Sequence, residues 1–84
     1  MTGAQCKAAR ALLGWSIETL AQVSKVGQNT ISKFETGKTA PRRSTVTVLR
    51  LALETGGLEF IESNGKGEGL RLKTPRDERR ADSR

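Results

Sequence analysis

Two glycines, Gly27 and Gly37, bracket the segment Gln28-Asn29-Thr30-Ile31-Ser32-Lys33-Phe34-Glu35-Thr36. The segment has the length of a short helix, and its only large apolar residues are Ile31 and Phe34. A helix so built can bury one narrow stripe and must present everything else. Gly27 suits the position before the first turn and Gly37 the left-handed stop after the last. On a helical wheel Gln28, Asn29, Ser32, Lys33 and Thr36 share an arc of about 140°, while Thr30, Ile31 and Phe34 fall on the opposite side. Asparagine and glutamine can engage adenine through donor and acceptor together, and lysine suits guanine. The polar arc is therefore a candidate surface for reading base edges, with Gln28, Asn29, Ser32 and Lys33 as the reading side chains.

The charge balance supports a polyanionic partner. The 84 residues carry 15 Lys and Arg against 9 Asp and Glu, a net +6. The excess is local. Residues 25–57 hold six basic residues (Lys25, Lys33, Lys38, Arg42, Arg43, Arg50) against Glu35 and Glu54, whereas the segments on either side are nearly balanced. Nucleic acid is the usual partner of such a surface. An anionic membrane is the rival, but no apolar run approaches the roughly 20 residues a span requires. The opening residues MTGAQCKAAR lack the apolar core of a signal peptide, which predicts a cytoplasmic protein. With no histidine and a single cysteine, Cys6, a disulfide framework, a zinc finger and a histidine-based triad are excluded. No motif sets a lysine or serine beside a base, so the expectation is a protein that is not an enzyme and uses no metal or cofactor.

Around the central segment the periodicity is helical. Thr2-x-x-Gln5 has the form of a capping box and predicts a first helix over Gly3–Leu13, with Cys6, Ala9, Leu12 and Leu13 on its apolar side. Ser16 caps a second helix from Ile17 to about Ser24, which buries Leu20, Ala21 and Val23. Val26 and Ile31 stand at the spacing of a hydrophobic staple across the start of the third helix. Lys38-Thr39-Ala40-Pro41-Arg42-Arg43-Ser44 reads as a basic loop, and a fourth helix runs from about Thr45 to Thr55. Its apolar residues wrap more than half the circumference, leaving Val48 and Leu51 as surplus to the core.

After Gly56-Gly57 the period changes to two. Leu58–Glu62 and Gly69–Lys73 flank a glycine-rich loop and predict a β-hairpin. Any register pairing even positions with even puts Leu58, Phe60, Leu70 and Leu72 on one face. From residue 74 the chain is charged and without apolar period, which predicts a disordered tail. Glu35 falls at the edge of the buried side of its helix, where an unpaired carboxylate is costly. Arg10 is the basic residue at the edge of the first helix's apolar side, so an Arg10–Glu35 ion pair is expected.

The stretch LAQVSKVGQNTISKFETGKTAPR resembles the helix-turn-helix of the phage-repressor and Cro family, also called the xenobiotic-response-element type. The similarity covers about residues 5–57 and is carried by Leu20-Ala21, the Ile31, Phe34 and Glu35 spacing, and Glu35-x-Gly37-Lys38. It implies a mainly α, lambda-repressor-like bundle of four or five helices, here followed by the hairpin. It further implies that Gln28, Asn29 and Lys33 contact bases, that Lys38, Arg42 and Arg43 grip phosphate, and that Arg10 with Glu35 is structural. Lys25 and Thr39 lie beside the same phosphate path. Two departures stand out. Lys25 occupies the turn position where the family usually has glycine, which requires a left-handed backbone, and Gly27 replaces the usual Ser or Thr cap.

The expected organisation is a DNA-binding domain over 1–57, a dimerisation hairpin over 58–73 and a tail over 74–84. The expected function is a sequence-specific regulator of double-stranded DNA, a homodimeric repressor on a palindromic operator, with Val48, Leu51, Leu58, Phe60, Leu70 and Leu72 at the dimer interface. The alternative is an antitoxin-like module that binds a partner protein through the hairpin or tail.

Overall fold

The order of elements follows from where the chain caps its helices and where it changes period. In the computed structural model, which describes residues 1–61 and 69–72, four helices precede a two-stranded antiparallel sheet. They are α1 (Gly3–Leu13), α2 (Ile17–Ser24), α3 (Gln28–Glu35), α4 (Arg43–Thr55), β1 (Leu58–Ile61) and β2 (Gly69–Leu72). The glycine-rich loop and the charged tail expected from the sequence lie outside the described residues.

α1 starts on a full capping box. The Thr2 hydroxyl accepts from the Gln5 N–H at 3.1 Å, and the Gln5 side chain accepts from the Thr2 N–H at 2.9 Å. α2 starts on Ser16, whose hydroxyl accepts from the Thr19 N–H at 3.0 Å. α3 stops on Gly37 in a left-handed conformation at φ 77°, which lets the Gly37 N–H reach the Phe34 carbonyl and the Lys38 N–H reach Lys33. α4 begins two residues earlier than its sequence suggests. Arg42 is extended after Pro41 and already offers its carbonyl to the Val46 N–H, so Arg43 and Ser44 belong to the first helical turn and not to the basic loop.

One core joins these elements. Cys6 and Ala9 of α1, Leu20 of α2, Ile31 and Phe34 of α3, Leu49, Ala52 and Leu53 of α4, and Leu58 of β1 are buried together. Complete burial of a side chain the size of leucine contributes about 1.5–3 kcal/mol, so Leu20, Leu49, Leu53 and Leu58 are its principal anchors. Gly3 permits the close packing of α1 on the end of α3. A Cβ there would collide with the Phe34 carbonyl oxygen, a backbone atom that cannot swing aside.

The register Leu58↔Leu72, Glu59↔Arg71, Phe60↔Leu70, Ile61↔Gly69 sets the four apolar hairpin residues on one face. That face packs inward on the chain's own helices. β1 packs on α4 and β2 on α1, with Leu58 fully buried and Phe60, Leu70 and Leu72 half-buried against the same core. Arg50 of α4 lies over the Phe60 ring, 5.2 Å from its centre, and Arg71 pairs with Glu59 across the strands at 2.6 Å. A lone hairpin is marginal in water, and here the chain's own helices supply the surface it needs.

Three expectations about helix faces need correction. Leu12 and Val23 are exposed, and Ser24 takes the inward place at the end of α2. Thr30, which the wheel sets beside Ile31 and Phe34, is also exposed. In each case periodicity gives an angle on the helix and not which neighbouring element lies at that angle.

Candidate nucleic-acid interface

The turn between α2 and α3 is held by a buried hydroxyl. Ser24 Oγ donates to the Leu20 carbonyl at 2.7 Å and accepts from the Val26 N–H at 3.2 Å, so it spans the turn from both sides. Between them Lys25 adopts the left-handed backbone that its place in the turn demands, at φ 64° and ψ 24°. A non-glycine residue in this region carries strain of about 1–3 kcal/mol, which the two Ser24 bonds help to hold. The Lys25 side chain is exposed beside the start of α3.

From that turn α3 presents its polar arc to solvent. Gln28, Asn29, Ser32 and Lys33 are all exposed, and Thr30 and Thr36 join them. Ile31 and Phe34 fix the opposite side in the core. The helix begins on Gly27 without a side-chain cap, and nothing lies within 4 Å of the place a Cβ would take there. Its first N–H groups and the positive end of its dipole therefore face open space. Lys38 and Thr39 follow in the exposed turn after Gly37, and Arg42 and Arg43 are exposed at the start of α4, which also has no side-chain cap and no acid in its first turn.

The cations divide into two groups. Arg10, Arg50 and Arg71 each pair with a carboxylate: Glu35, Glu54 and Glu59. Among the described residues Lys7 on α1 pairs with none, and neither do the five others Lys25, Lys33, Lys38, Arg42 and Arg43. These five surround the α3 arc and the N-termini of α3 and α4.

Beneath the arc lies the ion pair that fixes α3 to α1. Arg10 Nε and Nη2 donate to Glu35 Oε2 and Oε1, both at 2.7 Å, and Nη1 donates to the Trp15 carbonyl at 3.1 Å. One guanidinium thus joins α1, the corner after it and the end of α3. The Glu35 side chain is only 4% exposed and Arg10 15%. The Cys6 thiol, one turn before Arg10, donates to Glu35 Oε2 at 3.3 Å. Burial pushes the Glu35 carboxyl up, but the hydrogen bonds from Arg10 and Cys6 and the charges of Arg10 and Lys7 outweigh it and hold its pKa below the ordinary value. The bonds to Glu35 in turn raise the Arg10 pKa against the opposing effect of burial. Cys6 is pushed up to about 12, by burial first and then by its bond to the Glu35 carboxylate. Periodicity places Cys6 on the apolar side of α1 but says nothing of this third bond. The i, i+4 spacing of Cys6 and Arg10 is the signal that was available. Ser24 offered no such signal, because its partners are backbone atoms.

A protein-family model described as helix-turn-helix matches residues 7–60, well over half of the chain. A search of curated proteins gives no match. No helix among the described residues is long and apolar enough to cross a membrane.

Proposed function

This chain belongs to the helix-turn-helix family of the phage-repressor and Cro type, whose members are DNA-binding transcription regulators, and on that premise we propose a homodimeric repressor acting on a palindromic operator. Five cations that pair with no carboxylate among the described residues, set around an exposed Gln-Asn-Ser-Lys face, carry this reading. In it, α3 enters the major groove and Gln28, Asn29, Ser32 and Lys33 meet base edges. Lys25, Lys38, Thr39, Arg42 and Arg43 grip the flanking phosphates, and the uncapped starts of α3 and α4 add backbone N–H donors. The Arg10–Glu35 pair keeps α3 at a fixed angle to the bundle, so the reading face is presented without rearrangement. Such a protein acts where the DNA is, in the cytoplasm.

A palindromic site requires two α3 helices about 34 Å apart, hence two copies. Of the residues expected at the pairing surface, Val48 and Leu51 remain uncovered and support the dimer. Leu58 is buried in its own chain, and Phe60, Leu70 and Leu72 pack half-buried on α1 and α4, so their share of the pairing surface is the part left exposed. The alternative remains an antitoxin-like module that binds a partner protein through the hairpin or tail.

The test is affinity for duplexes taken from upstream of the protein's own coding region, measured by fluorescence anisotropy at two salt concentrations. A dimer that neutralises roughly 6–10 phosphates loses about 10³–10⁵ in affinity between about 50 and 200 mM salt. A flat salt response, or equal affinity for every sequence, contradicts the reading.

A further inference from the structure

We propose that Ser24 and Lys25 act as one unit, in which the buried hydroxyl holds a strained lysine in the corner between α2 and α3 so that its ammonium grips a DNA phosphate. Ser24 is thereby a positioning residue, and Lys25 is the contact it serves. The inference rests on the DNA-binding reading and deepens it at the corner of the helix-turn-helix.

Three helices of this chain end through the same left-handed backbone. Gly14 closes α1 at φ 71° and ψ 26°, and Gly37 follows α3 at φ 77°. Lys25 closes α2 at φ 64° and ψ 24°, almost the backbone of Gly14. Each returns its N–H to the helix it ends: Gly14 to the Ala11 carbonyl, Gly37 to Phe34, and Lys25 to Ala21 at 2.8 Å. Glycine takes this conformation without steric cost, whereas a residue with a Cβ is strained in it. Among the described residues no other non-glycine residue has a positive φ.

The lysine side chain does nothing for the fold that offsets this strain. It is exposed, lies outside the core and pairs with no carboxylate among the described residues. Of the three corners, the one that carries it leads into the polar arc of α3. Open space lies just beyond, since nothing is within 4 Å of the place a Gly27 Cβ would take. A cation kept at such a position is accounted for by an anion outside the chain. In the DNA-binding reading that anion is a backbone phosphate beside the groove that α3 enters.

The hold comes from Ser24. This residue is only 7% exposed, and its Oγ donates to the Leu20 carbonyl at 2.7 Å and accepts from the Val26 N–H at 3.2 Å. One hydroxyl therefore ties the last turn of α2 to the residue after Lys25. Val26 is half-buried against the core, so Lys25 is anchored to packed structure on both sides. The two glycine corners have no such bridge. Leu13 precedes Gly14, and the Thr36 hydroxyl before Gly37 donates back into α3, to the Ser32 and Lys33 carbonyls. The bridge stands at the corner where glycine is replaced.

The experiment compares four forms of the intact chain: native, Lys25→Gly, Ser24→Ala and the two changes together. Each is unfolded in denaturant. Each is also titrated by anisotropy, over a range of salt, with a duplex from upstream of the coding region and a random duplex of equal length. Lys25→Gly should unfold at higher denaturant and bind both duplexes several-fold more weakly, with a salt slope smaller by about one per bound copy. Ser24→Ala should lower the midpoint strongly beside Lys25 and much less in the Lys25→Gly background, because glycine needs no hold. Its salt slope should fall towards that of Lys25→Gly, yet in the Lys25→Gly background it should leave the slope unchanged. A residue that only stabilised the fold would move no slope at all. If Ser24→Ala does not fold beside Lys25, folding of the double variant supports the coupling, and failure of both overturns it. An unchanged slope in Lys25→Gly, a native slope in Ser24→Ala, or equal losses of midpoint in the two backgrounds overturns it as well. Those outcomes, seen with a native chain that binds DNA, leave the DNA reading standing. A native chain that binds no duplex removes that reading, and this unit with it.

Discussion

α1 and α2 begin on hydroxyls that satisfy their first N–H groups, Thr2 with a reciprocal bond from Gln5, and Ser16 with Glu18 in the first turn. α3 and α4 begin on Gly27 and Arg42, with no side-chain cap and no acid in the first turn. The sorting of charge follows the same line. Among the described residues Arg10, which serves the fold, is paired, whereas the cations near the starts of α3 and α4 are not. Setting Lys25, Arg42 and Arg43 beside the positive ends of two helix dipoles is unfavourable for the free protein. It becomes favourable when a polyanion arrives. In the proposed reading one side of the molecule is complete in itself and the other is completed by DNA.

If that division is correct, changes on the two sides should have separable effects. The largest is expected on the internal side. Arg10→Met leaves Glu35 as a nearly buried, unpaired carboxylate and should lower stability by about 3–5 kcal/mol in chemical denaturation. Adding Glu35→Gln should recover much of that loss, and strictly additive losses would show that the pair does not act as a unit.

The interface side should respond in DNA binding and hardly at all in folding. Asn29→Ala should lose about 1–3 kcal/mol on the preferred site and relax discrimination at one base pair. Lys38→Ala should weaken all sequences alike and reduce the salt slope by about one. Both should keep native stability to within about 0.5 kcal/mol, and a large loss in either would erase the contrast between the two sides.

Next comes a pH effect, again on the internal side. The folded thiol of Cys6 has its pKa raised from 9.0 to about 12, so its contribution is fully present below pH 9.0 and is lost as pH rises towards 12. At about pH 10.5 the loss specific to Cys6 should be about 2 kcal/mol, measured as the difference in pH slope between the native chain and Cys6→Ala. Glu35 has the opposite sign. Its folded pKa is lowered, so its contribution is present above the ordinary carboxylate value and is lost as pH falls below it. Identical alkaline slopes for the two proteins would show that Cys6 is not held protonated by the fold.

The sequence was most legible where side chains act on their own backbone. Thr2, Ser16 and Gly37 mark helix ends because their caps and stops are local, and the α1 and α2 boundaries could be read directly from them. The start of α4 was obscure for the reason that makes it interesting: Arg42 and Arg43 stand where a cap or acid usually signals a beginning. Arg10 and Glu35 could be matched because each stood alone at the edge of an apolar side. Val23, Leu12 and Thr30 were misplaced because periodicity gives an angle and not the number of elements available to cover it. The hairpin was assigned to the dimer interface for a similar reason, since Leu58, Phe60, Leu70 and Leu72 fit a core in their own chain as well as one in a partner.

The division of labour is tested most directly at Gly27. A side chain there meets open space, so Gly27→Asp should fold without strain and cap α3, with its charge at the favourable end of the helix. Stability should rise by a few tenths to about 1 kcal/mol. The same carboxylate would stand where a phosphate is proposed to bind, so affinity for DNA should fall by about ten-fold or more across all sequences. Thermal unfolding and anisotropy on one preparation give both numbers. A more stable protein that binds DNA less well is the result expected. A variant that gains stability and binds DNA undiminished would show that the start of α3 is not reserved for the ligand.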